Sequence, residues 1–173
     1  NSLKIGDDAM DKYDIKKKYS QLYRATTKKI SRLMVPKMKY IAVDGVGNPT
    51  VAEFKLKSEL MFSLNKILKE YYLMENIQFS GAKLEGIWDT YDNSHFDVTR
   101  KKMIKYTLLM PQPDILTNEM LEEAKAKLFS KTESFFSLDI YLKEFEEGEC
   151  LQMLHIGPYN TEINSTKKLM KYI

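Results

Sequence analysis

The stretch Cys150-Leu151-Gln152-Met153-Leu154-His155-Ile156-Gly157-Pro158-Tyr159-Asn160-Thr161-Glu162 decides how the rest of the chain is read. Positions 150 to 156 are mostly apolar and hold no Asp, Glu, Lys or Arg. That pattern predicts a strand buried on one or both faces at the centre of a sheet, ended by a Gly-Pro turn. Asn160 or Thr161 can then cap a helix carrying Ile163, Leu169, Met170 and Ile173, which sets Tyr159 and Glu162 at a strand-to-helix corner.

Outward from this stretch, composition bounds the class. With 173 residues, 43% hydrophobic and 29% charged, the chain suits one globular domain or two fused half-domains sharing a core. No apolar run reaches the ~20 residues that span a bilayer, and no signal peptide opens the chain, so a soluble, cytoplasmic protein without membrane contact is expected. The single Cys150 excludes an internal disulfide, and two histidines with one cysteine make no zinc pattern. Neither a metal nor a cofactor is expected. The net charge of +3 conceals an asymmetry: Lys12 to Lys39 holds ten Lys or Arg against the single acid Asp14, whereas Glu119 to Glu149 is rich in acids. Without a recognition-helix, RNA-binding or zinc-finger signature beside it, the basic run reads as a solvated face rather than a nucleic-acid footprint.

Taken in order, Asn1 to Ala9 reads as a loose or vector-derived terminus. Asp11 then caps a short amphipathic helix with Ile15, Tyr19, Leu22 and Tyr23 on one face. Ile30–Val35 and Met38–Val43 read as strands of a hairpin turning at Pro36-Lys37. Thr50-Val51-Ala52-Glu53 has the form of a capping box and opens a helix running to about Met74, with Leu56, Leu60, Leu64, Ile67 and Tyr71 as its stripe, widened by Met61, Leu68 and Tyr72. Lys83–Trp88 and Met103–Met110 read as strands around a polar Tyr91-Asp92-Asn93-Ser94 loop, and Thr117 caps a further helix with Met120, Leu121, Ala124 and Leu128 inward. Phe135–Leu142 pairs with the opening stretch across Glu144–Gly148, a second hairpin before a second helix. Ile41–Asn48 can be laid over Met153–Asn160 with only a glycine and an asparagine identical, so the repeat rests on element order. If the halves are equivalent, the second lacks two strands.

At Leu84-Glu85-Gly86-Ile87-Trp88, at Lys105-Tyr106-Thr107-Leu108-Leu109-Met110-Pro111-Gln112-Pro113-Asp114 and at Glu146-Glu147-Gly148-Glu149-Cys150 through Tyr159, the chain resembles the GyrI-like small-molecule-binding family. This family is related to bacterial effector-binding domains and, more distantly, to the haem-binding SOUL proteins, and the chain resembles a stand-alone member. The resemblance implies an α+β fold of two pseudo-twofold hairpin-helix-hairpin modules with a joined antiparallel sheet and a ligand cleft between them. It divides the chain into an arm, 1–27, and a single ligand-binding domain, 28–173, built from modules 28–114 and 133–173, the second of them truncated.

The same resemblance implies binding of flat, apolar or cationic drugs and toxins, and in some stand-alone members hydrolysis of cyclopropane-bearing DNA alkylators. Glu162 then stands as the general base and Tyr159 as oxyanion donor, with Trp88, Tyr106 and Glu85 completing the ligand-binding set. Each has a plainer reading. Glu162 complements a helix dipole, Trp88 is core, Tyr106 and Tyr159 cap buried carbonyls, and Glu85 joins a strand-face ion pair. His155 reads as a satisfied core histidine and Cys150 as a small packing residue. A non-catalytic drug binder or sensor module is one alternative, and a DNA-gyrase-modulating interaction protein another. The partner is a small molecule, and the protein is a monomer or homodimer.

Overall fold

A computed structural model describes residues 10–47, 50–90, 104–130, 139–158 and 161–172. The elements run β1 (Asp11–Asp14), α1 (Ile15–Lys18), a 3-10 turn (Ser20–Tyr23), β2 (Ser31–Val46), α2 (Val51–Met74), β3 (Ile77–Ser80), β4 (Glu85–Thr90), β5 (Ile104–Gln112), α3 (Asn118–Phe129), β6 (Ile140–Gln152) and α4 (Glu162–Met170). The fold is α+β. A curled antiparallel sheet of order β4-β5-β2-β6 carries the core, and β1 pairs in parallel with β3 beside it.

The joined antiparallel sheet is present, but both expected hairpins are replaced by single long strands. Ser31–Val46 runs straight through Pro36-Lys37 and pairs with β6 along its length, from Ser31 opposite Gln152 to Val43 opposite Ile140. Proline is tolerated because β5 pairs only with Lys39–Val46, so Pro36 has one neighbouring strand, and a missing N–H on the open side removes no ladder bond. Likewise Glu144–Gly148 is no turn but the middle of β6, with Gly148 taking the one positive φ (74°) that the bend there requires. The acids sit there to meet the basic run across the ladder: Lys37 pairs with Glu144, and Arg32 with Glu149 at 2.8 Å. Part of the charge asymmetry along the sequence is therefore cancelled between adjacent strands.

The opening stretch is also placed differently. Only Cys150–Gln152 belongs to β6; Met153–Ile156 is outside any strand, β6 is an edge of the sheet, and Ile156 is 76% exposed. The centre is instead β2 and β5, where Ile41, Ala42, Val43, Leu108, Leu109 and Met110 are buried. With Met153–Ile156 out of the sheet, the proposed overlay on Ile41–Asn48 fails. What repeats is a long strand followed by a helix, β2 then α2 and β6 then α4.

Helix α2 begins as its capping box directs, Thr50 Oγ1 accepting from the Glu53 N–H at 3.1 Å. Its inner face is Lys57, Leu60, Met61, Leu64, Asn65, Ile67, Leu68 and Tyr72, which keeps most of the expected stripe, while Tyr71 is only partly buried and Leu56 is 37% exposed. Burying one such Leu or Met contributes about 1.5–3 kcal/mol, so this face anchors the helix. Thr117 caps α3 by accepting from the Met120 N–H at 3.2 Å, and Leu121, Ala124 and Leu128 are buried as expected. At the start of the chain Asp14, not Asp11, caps the short helix, because Asp11–Asp14 is drawn into pairing with β3. Thr161 occupies the cap position of α4 without bonding a helix N–H. Among the described residues α4 buries no side chain.

Candidate functional site

Strand β4 supplies candidate residues to two different faces of the sheet. Successive side chains of a strand alternate, so Gly86 and Trp88 share one face and Glu85, Ile87 and Asp89 the other. Trp88 was expected to lie beside Glu85 in one cleft. The sheet separates them.

On the helix-covered face Trp88 stacks on Tyr106, with ring centroids 5.2 Å apart and an interplanar angle of 29°. The glycines opposite make room: a Cβ on Gly45 would stand 2.0 Å from the Tyr106 ring, and one on Gly86 would stand 3.0 Å from Trp88 Nε1. Tyr106 is buried and Trp88 is 41% exposed, so the indole has one side against the core and one open. Beneath the pair lies a saturated polar cluster. Lys57 Nζ donates to Tyr106 Oη at 2.9 Å, to Glu53 Oε1 at 2.8 Å and to the Asp44 carbonyl at 3.1 Å, while Tyr106 Oη donates to Glu53 Oε1 at 2.9 Å. Lys57 and then Tyr106 hold the Glu53 carboxyl below the usual range. Burial opposes the charge on Lys57, but the bonds to Glu53 and Tyr106 outweigh it and keep the ammonium charged. Every partner is satisfied, which is the signature of a joint between α2 and the sheet.

The opposite face is different. Tyr40, Ala42, Leu109, Pro111, Glu85, Ile87 and Tyr141 alternate onto it, and the 3-10 turn adds Tyr23, whose hydroxyl donates to Glu85 Oε1 at 3.2 Å. This face is the inside of the curl. On a flat sheet Glu147 of β6 would stand roughly 14 Å across and roughly 20 Å along from Glu85 of β4. The sheet is curled rather than flat, and the charge of Glu147 is among those that raise Glu85 and Tyr40. Burial first, and then Glu147, raise the Glu85 carboxyl above its usual range, while the Tyr23 hydrogen bond opposes them. Asp44, also on this face, is better served: Tyr141 Oη reaches both its oxygens, at 3.2 and 3.1 Å, and Thr107 Oγ1 donates to it as well. The Tyr141 hydroxyl is pushed up to about 12, by burial and by the Asp44 charge. Among the described residues Glu85 thus has a single hydroxyl donor, in a tyrosine-lined, partly dry setting. That is an arrangement which can hold a cation or take a proton from water.

Of the other expected site residues, Glu162 is exposed in the first turn of α4, and Tyr159 lies outside the described residues. Among the described residues Trp88 and Tyr106 come together as a stacked pair, and Glu162 stands on α4. His155 is satisfied, but by helix hydroxyls rather than in an apolar core: Nδ1 lies 3.0 Å from Ser165 Oγ and Nε2 3.2 Å from Thr161 Oγ1, tying α4 to the segment before it. Burial pushes the Cys150 thiol up, away from nucleophilic character. Tyr23, Tyr40 and Glu147 were missed as site candidates. The first two carry apolar-looking rings in amphipathic patterns, and the charge of the third acts on Glu85 from a strand distant in sequence. Among the described residues no group of His, Cys, Asp and Glu could hold a metal ion, and no helix is long and apolar enough to cross a membrane.

No family model and no curated protein matches the chain. Solved structures do. A conserved protein from Listeria innocua, described as uncharacterized, superposes with a TM-score of 0.81 at 29% identity, over 92% of this chain and 79% of its own. A protein of the same organism described as a hydrolase gives a TM-score of 0.79 at 28% identity, over 94% and 80%. A further structure, described as a hydrolase from Listeria innocua, gives 0.76 at 27%, over 92% and 79%.

Proposed function

We propose that this chain is a GyrI-like small-molecule-binding protein that takes a flat, apolar or cationic ligand on the inner face of its curled sheet and hydrolyses it, with Glu85 as the base. The supporting observation is the Glu85 carboxyl: part-buried, raised by burial and by Glu147, and hydrogen-bonded by one tyrosine. A carboxyl raised above its usual range is a stronger base than a solvated one, and the half-buried Tyr23 ring gives a planar ligand apolar area. The likeness to structures described as hydrolases, at 27 and 28% identity, points the same way. For a cyclopropane-bearing alkylator, water adds its oxygen to the strained carbon and its proton passes to Glu85. The electron pair of the broken carbon–carbon bond moves to the ligand's conjugated carbonyl, which is then protonated. Trp88 stands on the other face of the sheet, outside this cleft, and takes no part in this reading. Glu162, with Tyr159 as donor, is the carboxylate to which the family resemblance pointed, and it is the rival base.

Ring opening of a cyclopropane-bearing DNA alkylator, followed with wild type, Glu85→Gln and Glu162→Gln, tests this reading. Glu85→Gln should lower turnover by about 10² or more while Glu162→Gln leaves it near wild type. The reverse pattern moves the base to Glu162. No hydrolysis above buffer by the wild type, with the alkylator still bound, leaves a non-catalytic binder.

A further inference from the structure

We propose that the groove between the residues leading into β2 and the C-terminal end of α4 is a binding site for a compact anion of the phosphate class. The groove has a volume of about 240 Å³, and its lining includes Thr27, Lys28, Lys29, Lys168, Lys171 and Tyr172. Four lysines thus line it from two segments more than a hundred residues apart in sequence, and no acid is among the described residues lining it. The whole chain carries a net charge of only +3, so the groove holds more positive charge than the chain does overall.

Some of the remaining basic residues of the same run are answered by partners, while Lys12, Lys16, Lys17 and Arg24, like the groove lysines, form no ion pair with another described residue. Lys18 pairs with Asp114, Arg32 with Glu149 and Lys37 with Glu144, while Lys39 donates to the carbonyls of Asp114 and Leu116. None of Lys28, Lys29, Lys168 and Lys171 forms an ion pair with another described residue. Lysines at the end of a helix offset its dipole, which accounts for Lys168 and Lys171 alone. Lys28 and Lys29 belong to another segment and gain nothing from that dipole. The walls are also held in place: the Leu154 N–H donates to the Thr26 carbonyl at 3.0 Å beside the groove, and His155 bridges to Ser165 and Thr161 of α4.

Size and chemistry then select the ligand. Pockets for drug-sized molecules enclose about 300–1,000 Å³, so this groove suits something smaller. Ammonium groups act as point charges toward phosphate oxygens, and the Thr27 hydroxyl can add a directed donor. Tyr172, 70% exposed, offers a ring for whatever the phosphate is attached to. The phosphate can come from a free ester or from the backbone of a nucleic-acid strand; both present the same oxygens.

Titration of inorganic pyrophosphate into the intact chain should show one-site binding that weakens as salt rises. Lys168→Gln/Lys171→Gln should weaken it by about tenfold or more, and Lys55→Gln, on the exposed side of α2, should not. Absence of binding by the wild type, or equal binding by the double variant, overturns the site. If the double variant loses its circular-dichroism spectrum, the wild type alone decides. Pyrophosphate should then shield Lys28, Lys29, Lys168 and Lys171 from amine acylation read by mass spectrometry, and uniform labelling overturns the site. A fluorescein-labelled oligothymidine displaced by pyrophosphate identifies a strand as the source of the phosphate. Pyrophosphate binding without oligothymidine binding identifies a free ester.

Discussion

The two faces of β4 and β5 are built from the same strands by opposite rules. On the face under α2, Lys57, Glu53 and Tyr106 answer one another completely, and Gly45 and Gly86 are hollowed out to admit the Tyr106 and Trp88 rings. On the inner face Glu85 is buried enough to be raised yet given one hydroxyl donor among the described residues. A sheet that can saturate a buried lysine on one side could saturate a carboxylate on the other. Leaving Glu85 short is therefore a cost in stability, of the sort sites carry and joints do not.

The sharpest way to break this contrast is Glu85→Gln, with two readouts. Turnover should fall by about 10² or more. Stability should move the other way. Because the folded-state carboxyl is raised above its ordinary value of 4.5, the fold binds this proton more tightly than the unfolded chain does. Stability is therefore lost as pH rises from that value through the raised one. The glutamine variant should lack this loss, so its melting temperature at pH 7 should exceed that of the wild type, with a flatter profile between pH 4 and pH 8. A variant less stable than wild type at neutral pH would make Glu85 a structural residue like Glu53.

Next in size is the joint's apolar support. Leu64→Ala, at a fully buried position of α2, should cost about 2–5 kcal/mol in urea denaturation. Tyr106→Phe should cost less, about 1–3 kcal/mol, since it leaves the buried Lys57 ammonium one acceptor short. Its pH signature should be opposite to that of Glu85. The Glu53 carboxyl is held low, so its contribution is present above the usual carboxylate range and lost as pH falls; the Lys57 contribution is lost only above the ordinary lysine range. Least of all, Arg32→Ala should change stability by about 0–1 kcal/mol and less still in salt, because its pair with Glu149 is exposed. A large effect there would mean that the β2–β6 charge ladder, not the core, holds the edge strand.

Helix ends were the part of the fold most legible in the sequence. Thr50 and Thr117 act within three residues of their own positions, and α2 and α3 start where those caps say they must. The strands were located but their connectivity was misread, because Pro36 and the Glu144–Gly148 run look like turns to any rule that sees one strand at a time. Whether proline breaks a strand depends on how many neighbours that strand has, and acids look like a loop until the lysines opposite are known. Of the candidate residues, Glu85 and Trp88 stand on one short strand, and the period of two in β4 already implied that they face apart. What no local pattern could supply was the curl of the sheet and the charge of Glu147 acting on Glu85.

The register of the longest ladder also bears on how the chain reaches this state. Ser31 meets Gln152 and Val43 meets Ile140. Closing that pairing therefore gathers in roughly a hundred residues, an entropic penalty paid before the contacts return anything. Local pieces such as α2 with β3 need no such search. β6 should accordingly dock late, in a slow phase of milliseconds to seconds typical of sheets with distant pairing, and until it does the open side of β2 is the chain's most exposed template for misassembly.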